Sequence, residues 1–435
     1  MEQLTKWLNN LVKSLLIITL ASPLQNVKAQ TISLEDIYRK SVENYPLTKQ
    51  KDLIQQTAEL NIENIGKGYW PQILINGQAS YQSDVTSIKI PLPGVEIDPL
   101  SKDQYRILAD LSQLIYDGGL IRQQQSLQQI NAALEDQKIE VELYRLRDRI
   151  TQLYMGILLL DRQKAQLLLL KDDLNNGIKT VEAQVQNGVA LKSHLNSIKA
   201  EALKADQQII ELTAGRNSLV SILELFIKED LPNNINLTTP PEPVLTERSI
   251  KRPELEVFKT QQLSFKEQSK LINAKNRPRT SAFIQGGYGR PALDMLKNEF
   301  EPFYIAGIRM NWSLSGLYSA KAEKKLLNLN SRSIDIQKDM FILQTSTEQK
   351  QQLAEIDKWQ HLVNTDKEII ELRNSIKESA RVQLENGAIL ASDYLREVNA
   401  EDVARQKMLL HELQLLQAKI NYANTTGSTY LTANK

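Results

Sequence analysis

The stretch Asn187-Gly188-Val189-Ala190-Leu191-Lys192-Ser193 returns 199 residues later as Asn386-Gly387-Ala388-Ile389-Leu390-Ala391-Ser392. Asn, Gly, Leu and Ser recur at the same places. Self-similarity at a fixed offset marks a chain built from equivalent units. Between two apolar periodic runs, an Asn-Gly pair ends one helix, because Gly adopts the left-handed backbone that closes it. Ser193 and Ser392 are expected to help start the helices that follow. A second match has an offset of 207 residues: Pro71 falls on Pro278, Gln78 on Gln285, Tyr81 on Tyr288, and Tyr45-Pro46 on Arg252-Pro253. The two offsets differ by eight, so loop lengths differ between the halves.

Long helices flank both turns. Counting in sevens from Ile139 gives Leu146, Leu153, Leu160, Leu167, Leu174 and Val181, all apolar. The companion set is Leu143, Ile150, Ile157, Lys164, Lys171, Ile178 and Val185, with two lysines. The returning run has Leu191, Ile198, Ala205, Leu212, Leu219 and Phe226, with Leu195, Ala202, Ile209, Arg216 and Leu223. In the second half the sets are Ile356, Val363, Ile370 and Leu362, Ile369, Ile376. A sustained seven-residue period predicts coiled coils. A continuous helix over 120–187 would reach about 100 Å at ~1.5 Å per residue, far beyond a bilayer core of ~30 Å.

Ahead of each helical pair, period-two alternation predicts two strands. In the first half, Ile73, Ile75, Gly77, Ala79 and Tyr81 share a face, as do Ile107, Ala109, Leu111, Gln113 and Ile115 in a second strand over 105–116. Leu74 breaks the pattern. In the second half the strands are expected over 282–288 and 303–314, with Ile308, Met310, Trp312 and Leu314 opposite Arg309, Asn311 and Ser313. An apolar face against a polar one suits a soluble sheet on a core, or a barrel wall between lipid and water. Tyr69, Trp70, Tyr304 and Trp312 near the strand ends favour the barrel. Four strands are too few to close one, since small barrels need ~8, so several chains would have to share it.

The expected order is a leader over 1–29, a first repeat over 30–230, a Pro-rich linker over 231–249, a second repeat over 250–427 and a tail over 428–435. A lead helix is expected over 33–66, hairpins over about 72–116 and 280–315, and helical tips at 187–191 and 386–390. The leader reads as a secretory signal. It has Lys6 and Lys13, an apolar stretch over 15–21 and a Val27-Lys28-Ala29 cleavage site, so the mature chain would start at Gln30. After Gln30 no apolar run approaches spanning length.

The 435 residues carry 53 basic and 52 acidic side chains, so no overall field favours nucleic acid. There are no cysteines, which excludes disulfides, thiolate metal sites and a cysteine nucleophile. Only His194, His361 and His411 could offer imidazole, and they are scattered. His411-Glu412 lacks the second histidine of a zinc-protease motif. Gly286-Gly287-Tyr288-Gly289 is followed by Pro291 and lacks the Lys-Ser/Thr of a phosphate loop. No catalytic, cofactor or metal site is expected, and the chain is not read as an enzyme.

Several stretches in order resemble the outer membrane efflux protein family, the TolC-like channels. They are Ile32–Asp36 with Asn44-Tyr45-Pro46, their counterpart Arg252-Pro253-Glu254-Leu255, Trp70-Pro71 and Arg277-Pro278 before the first strands, and Leu114–Gly119 at the strand-to-helix junction. The resemblance implies a mainly α fold with a small β part: long antiparallel coiled-coil helices in two tandem repeats, each giving a β-hairpin to a shared transmembrane barrel. It implies a homotrimer in the outer membrane, touching its lipid, with a periplasmic helical extension. Such a duct passes substrate from an inner-membrane transporter through a periplasmic adaptor, as in tripartite efflux or type I export. By position, the adaptor would dock at Asn187, Gly188, Val189, Leu191, Ser193, Asn386, Gly387, Ala388, Leu390 and Ser392. Asp393 matches an acidic entrance residue, which three copies would form into a cation-attracting ring, with Arg396 and His194 beside it in a gate. At Gly316-Leu317 the chain departs from the paired glycines of many members. The other reading is a soluble periplasmic coiled-coil adaptor or structural protein, but two equivalent hairpins with strand pairs between them fit it less well.

Overall fold

A computed structural model of the chain describes residues 31–86, 99–232, 234–245, 249–294 and 296–428. The expected leader, its cleavage point and all but Ser428 of the tail lie outside them. The elements are β1 (Thr31–Ile32), α1 (Leu34–Asn44), α2 (Pro46–Gly66), β2 (Gln72–Tyr81), β3 (Asp103–Tyr116), α3 (Leu120–Gln186), α4 (Lys192–Ile227), β4 (Asn236–Leu237), α5 (Glu254–Lys275), β5 (Arg279–Arg290), β6 (Glu301–Asn311), α6 (Gly316–Glu385) and α7 (Ala391–Thr426). The fold is mostly helical with a smaller strand part, as expected. The chain divides into two compact units. One holds residues up to Ser41 with Ile150–Pro241 and Thr365–Leu413; the other holds Val42–Arg149, Glu242–Asn364 and Gln414 onward.

In the second unit, β2, β3, β5 and β6 form one antiparallel sheet in that order. The two hairpins are therefore joined through β3 and β5, with Ile107 opposite Tyr288 and Leu111 opposite Ile284. The registers align the alternating faces across all four strands. Ile75, Ala109, Gly286 and Tyr304 form one row, and the next along that face is Ile73, Leu111, Ile284 and Ala306. Tyr304 thus sits within β6, not at its end. β5 begins three residues earlier than alternation suggested and β6 stops at Asn311, leaving Trp312 to donate its indole N–H to the Asn276 carbonyl at 3.0 Å. The apolar face is open: Ile73, Ile75 and Ile308 are each at least 70 % exposed.

On the opposite face, two phenylalanines lie across glycines of the neighbouring strand. Phe303 faces Gly287 and Phe283 faces Gly307. Each ring carries an arginine over it, Arg106 at 5.6 Å and Arg309 at 4.4 Å. Covering a strand glycine with an aromatic ring restores packing that the missing side chain gives up.

The lead helix expected over 33–66 is two helices. Pro46 disfavours helical backbone in the residue before it, and Tyr45 turns to φ −70°, ψ 130°. The Pro-rich segment is more than a spacer. Its β4 pairs in parallel with β1, and both are tied down by Tyr154, which is fully buried. The Tyr154 hydroxyl lies 2.5 Å from the Thr238 carbonyl and 3.0 Å from that of Ile32.

The heptads of α3 are largely as read: Ile139, Leu146, Leu167, Leu174 and Val181 are buried, while Leu153 and Leu160 are half-buried. The exceptional Lys171 reaches Asp206 of α4 at 2.5 Å. In α6 one expected set is displaced, because Ile369 and Ile376 are exposed. The inward positions are Val363, Asp366, Ile370, Arg373, Lys377, Ala380 and Leu384. Counting apolar residues missed this register because paired charges occupy core positions.

Candidate functional site

The two turns expected at the helical tips lie in the first unit. They close with the same pair of hydrogen bonds. Gly188 has φ +72° and Gly387 φ +69°. The Gly188 and Gly387 N–H groups donate to Val185 and Leu384, and those of Val189 and Ala388 donate to Gln184 and Gln383. This is the Schellman closure, in which a left-handed residue lets two amides return to the last turn. The serines do not cap the following helices as expected. α4 starts from Leu191, which makes no side-chain cap bond, and Ser193 lies inside the helix. Ser392 likewise lies inside α7.

All four helices that meet at the turns share a core. It contains Leu174 and Val181 of α3, Leu195 and Ile198 of α4, Ala380 and Leu384 of α6, and Tyr394 and Val398 of α7. Gly177 makes room for the Tyr394 ring, since a Cβ there would lie 3.0 Å from it. Burial, helped by the charge of Asp173, pushes the Tyr394 hydroxyl up to about 12. The Gln184 amide donates to the Leu384 carbonyl at 2.7 Å and ties the end of α3 to the end of α6. Ala190 and Ile389 pack onto this core. Val189, Leu191 and Leu390 are exposed instead, and so are Asn187, Gly188, Ser193, Asn386, Gly387, Ala388 and Ser392. Each turn thus presents small and apolar surface to solvent.

Of the expected gate residues, the structure brings two together. Arg396 lies 3.8 Å from Asp393, one turn along α7, and its Nε donates to Glu397 at 3.1 Å. Glu397 in turn pairs with Arg373 of α6 at 3.3 Å. His194 is half-buried in the first turn of α4, and among the described residues no ion pair or hydrogen bond joins it to either.

A denser polar layer lies further along the same helices. Lys377 is buried and lies 2.9 Å from Asp173 of α3 and 3.8 Å from Glu401 of α7. Glu401 also holds Arg405. Asp402 accepts amide hydrogens from Gln166 at 3.1 Å and Gln406 at 2.7 Å. His411 Nδ1 lies 2.6 Å from Asp366. Arg216 of α4 pairs with Asp161 at 2.5 Å and donates to the Ile235 carbonyl at 2.7 Å. The sequence signal for these groups was a charge at a heptad core position, visible for Arg216 and Lys171 but hidden in α6 by its misread register.

Burial raises the Asp402 carboxyl above the usual carboxylate range, against the two amide hydrogen bonds that lower it. An acid raised in the folded state costs stability as pH rises from its unfolded pKa of ~3.9 through the folded value. Asp402→Asn is therefore expected to unfold at a higher temperature than the parent near pH 7.5. The gap should close below about pH 4. Circular dichroism melts across that range check it, and a gap independent of pH would refute it.

No family model and no curated protein matches the chain. Solved structures do. The chain is similar to CusC, a transmembrane channel (TM-score 0.68, 13 % identity, covering 91 % of this chain and 92 % of that one). It is similar to the outer membrane protein VceC of Vibrio cholerae (TM-score 0.65, 12 % identity, 91 % and 96 % covered). It is also similar to the outer membrane channel CmeC of Campylobacter jejuni (TM-score 0.63, 13 % identity, 92 % and 87 % covered). The chain has the TolC-like fold of these channels.

Proposed function

We propose that this chain, with its TolC-like fold, is one third of a trimeric outer-membrane duct. The duct accepts substrate from an inner-membrane transporter and periplasmic adaptor and does no chemistry on it. The observation that carries this reading is the four-stranded sheet. Between its end rows one face is uncharged, and the stretch from Ile73 to Tyr81 covers about 27 Å at ~3.4 Å per residue. That is close to the ~25 Å apolar band of an outer-membrane barrel. The other face carries Arg106, Asp110 and Arg309, which suits a water-filled lumen. At one end of the apolar face the rings of Tyr105, Tyr288 and Phe300 cluster, Tyr288 and Phe300 with centroids 5.7 Å apart, as in an interfacial girdle.

Among the described residues, both edges of the sheet, β2 and β6, are unpaired. In lipid those backbone groups need partners, and the strand order lets β6 of one copy pair antiparallel with β2 of the next. Three copies give twelve strands, enough to close a barrel. Among the described residues no helix is long and apolar enough to cross a membrane. The exposed turns at Asn187–Leu191 and Asn386–Leu390 supply the apolar knobs for an adaptor. The chain of pairs from Asp393 through Arg396 and Glu397 to Arg373 sets the entrance, with His194 on the neighbouring hairpin.

The test is single-channel conductance of detergent-purified protein in a planar bilayer, beside Asp393→Ala. A small steady conductance that grows several-fold in the variant, with weaker cation preference, is the expected result. Equal conductance and selectivity would remove Asp393 from the entrance while keeping the duct. A protein that stays soluble without detergent and never inserts would overturn the duct.

A further inference from the structure

The segments that join the four-stranded sheet to its long helices are basic. Within ten residues of the strands they carry Lys67, Arg122, Lys270, Lys275, Arg277 and Lys321, against Glu63 and Asp117 alone. The loops at the other end of the sheet, 82–102 and 291–300, have the opposite balance, with five acids and three bases. The whole chain has a net charge of only +1, so this polarity belongs to the two rims of the sheet.

Both acids of the helical rim are already engaged. Asp117 is buried and accepts the Gly119 and Ile121 N–H groups at 2.8 and 2.7 Å. Glu63 pairs with Lys67 at 3.0 Å. Lys270 is held by Glu267, and Arg277 donates to the Gly118 carbonyl. Arg122, Lys275 and Lys321 are exposed and make no ion pair among the described residues. They stand six residues after β3, four before β5 and ten after β6. Aromatic rings lie at the same rim. Trp70 is 63 % exposed with the Lys67 ammonium 6.0 Å from its ring, and Tyr318 is 86 % exposed. On α6, Tyr318, Lys321 and Lys325 follow at intervals of three and four, so they share a helix face. From Ile308 and Met310 through Trp312 and Tyr318 to Lys321, the chain passes from apolar to aromatic to basic. That is the order met in moving from hydrocarbon to headgroups.

We infer that this rim is a collar for anionic phospholipid. Headgroups of the periplasm-facing leaflet seat on Arg122, Lys275 and Lys321, and the rings lie at the acyl boundary. This rests on the lipid-facing reading of the sheet above. Charge selects the occupant. A zwitterionic headgroup brings its own cation and gains little from three unpaired bases, whereas a phosphatidylglycerol headgroup is a net anion. An exposed Lys or Arg beside an anionic surface strengthens attachment roughly fivefold.

The test is thermal unfolding of the detergent-solubilised parent chain during titration with phosphatidylglycerol or phosphatidylcholine. A ligand that binds the folded state raises the midpoint with concentration. Phosphatidylglycerol should raise it and phosphatidylcholine should not. Arg122→Gln with Lys275→Gln and Lys321→Gln should need at least tenfold more phosphatidylglycerol for the same rise. Arginine at 275 and 321 should retain the response. Lys338→Gln with Lys350→Gln, further down α6, should leave it unchanged. An equal response in the triple-Gln variant, an equal loss in the Lys338/Lys350 control, or the same rise with inorganic phosphate would overturn the collar. Bilayer insertion of the parent chain, measured alongside, keeps the two readings apart. A parent that inserts but ignores phosphatidylglycerol overturns the collar and leaves the duct, and one that never inserts overturns both.

Discussion

A chain carrying Gly287→Val is expected to yield little assembled channel, while Gly286→Val assembles like the parent. The two glycines are neighbours on β5 and point to opposite faces. A Cβ on Gly286 would meet nothing within 4 Å. A Cβ on Gly287 would lie 2.6 Å from the Phe303 ring and 2.7 Å from the Ile107 carbonyl oxygen. The ring could swing away, but the carbonyl belongs to the ladder that joins the two hairpins, so β3 and β5 would have to part. Overpacking against fixed backbone costs roughly 3 kcal/mol or more. The loss falls on the one pairing that makes a four-stranded wall from two hairpins. Heat-dependent mobility of the detergent-extracted trimer on a denaturing gel is the measurement. Equal trimer yield from both variants would show that the close approach at Gly287 is not needed.

The second large effect is expected at Arg216. Its guanidinium is buried, pairs with Asp161 and satisfies the carbonyl of Ile235, which is itself only 1 % exposed. Arg216→Met removes the charge and its hydrogen bonds but keeps an apolar stem of similar reach. Asp161 is about one third exposed and can be rehydrated, so the cost should be about 2–3 kcal/mol, short of the full value for breaking a buried pair. Asp161→Ala should cost more, because it leaves a buried guanidinium without its carboxylate. The double variant should cost less than the two single losses added together. Denaturant unfolding followed by circular dichroism would rank the three. Additive losses, or Asp161→Ala the milder change, would show that the pair is not coupled as the geometry implies.

How much of this was legible beforehand depended on what each feature needs. The turns at Asn187-Gly188 and Asn386-Gly387 were readable because a left-handed closure is a local demand, met by one glycine whatever surrounds it. The strand faces were readable because their period is two and almost unbroken from Ile73 to Tyr81. The break at Tyr45 is written in Pro46 alone, a single residue that the helical period on either side does not register. The cap expected of Ser193 failed because the chain enters α4 at Leu191, in extended backbone two residues too early for it.

The sequence by itself determined the repeated strand-and-helix order, the long helices and the apolar face, since these follow from periodicity and from residues with few conformational choices. Only the tertiary structure decided that β3 and β5 join the hairpins into one wall, because pairing between strands some 170 residues apart leaves no trace in either strand alone. It also decided the face that α6 buries. There, Asp366 and Lys377 occupy core positions because His411, Asp173 and Glu401 come to meet them. A charge is at home in a core only when its partner arrives from elsewhere in the fold.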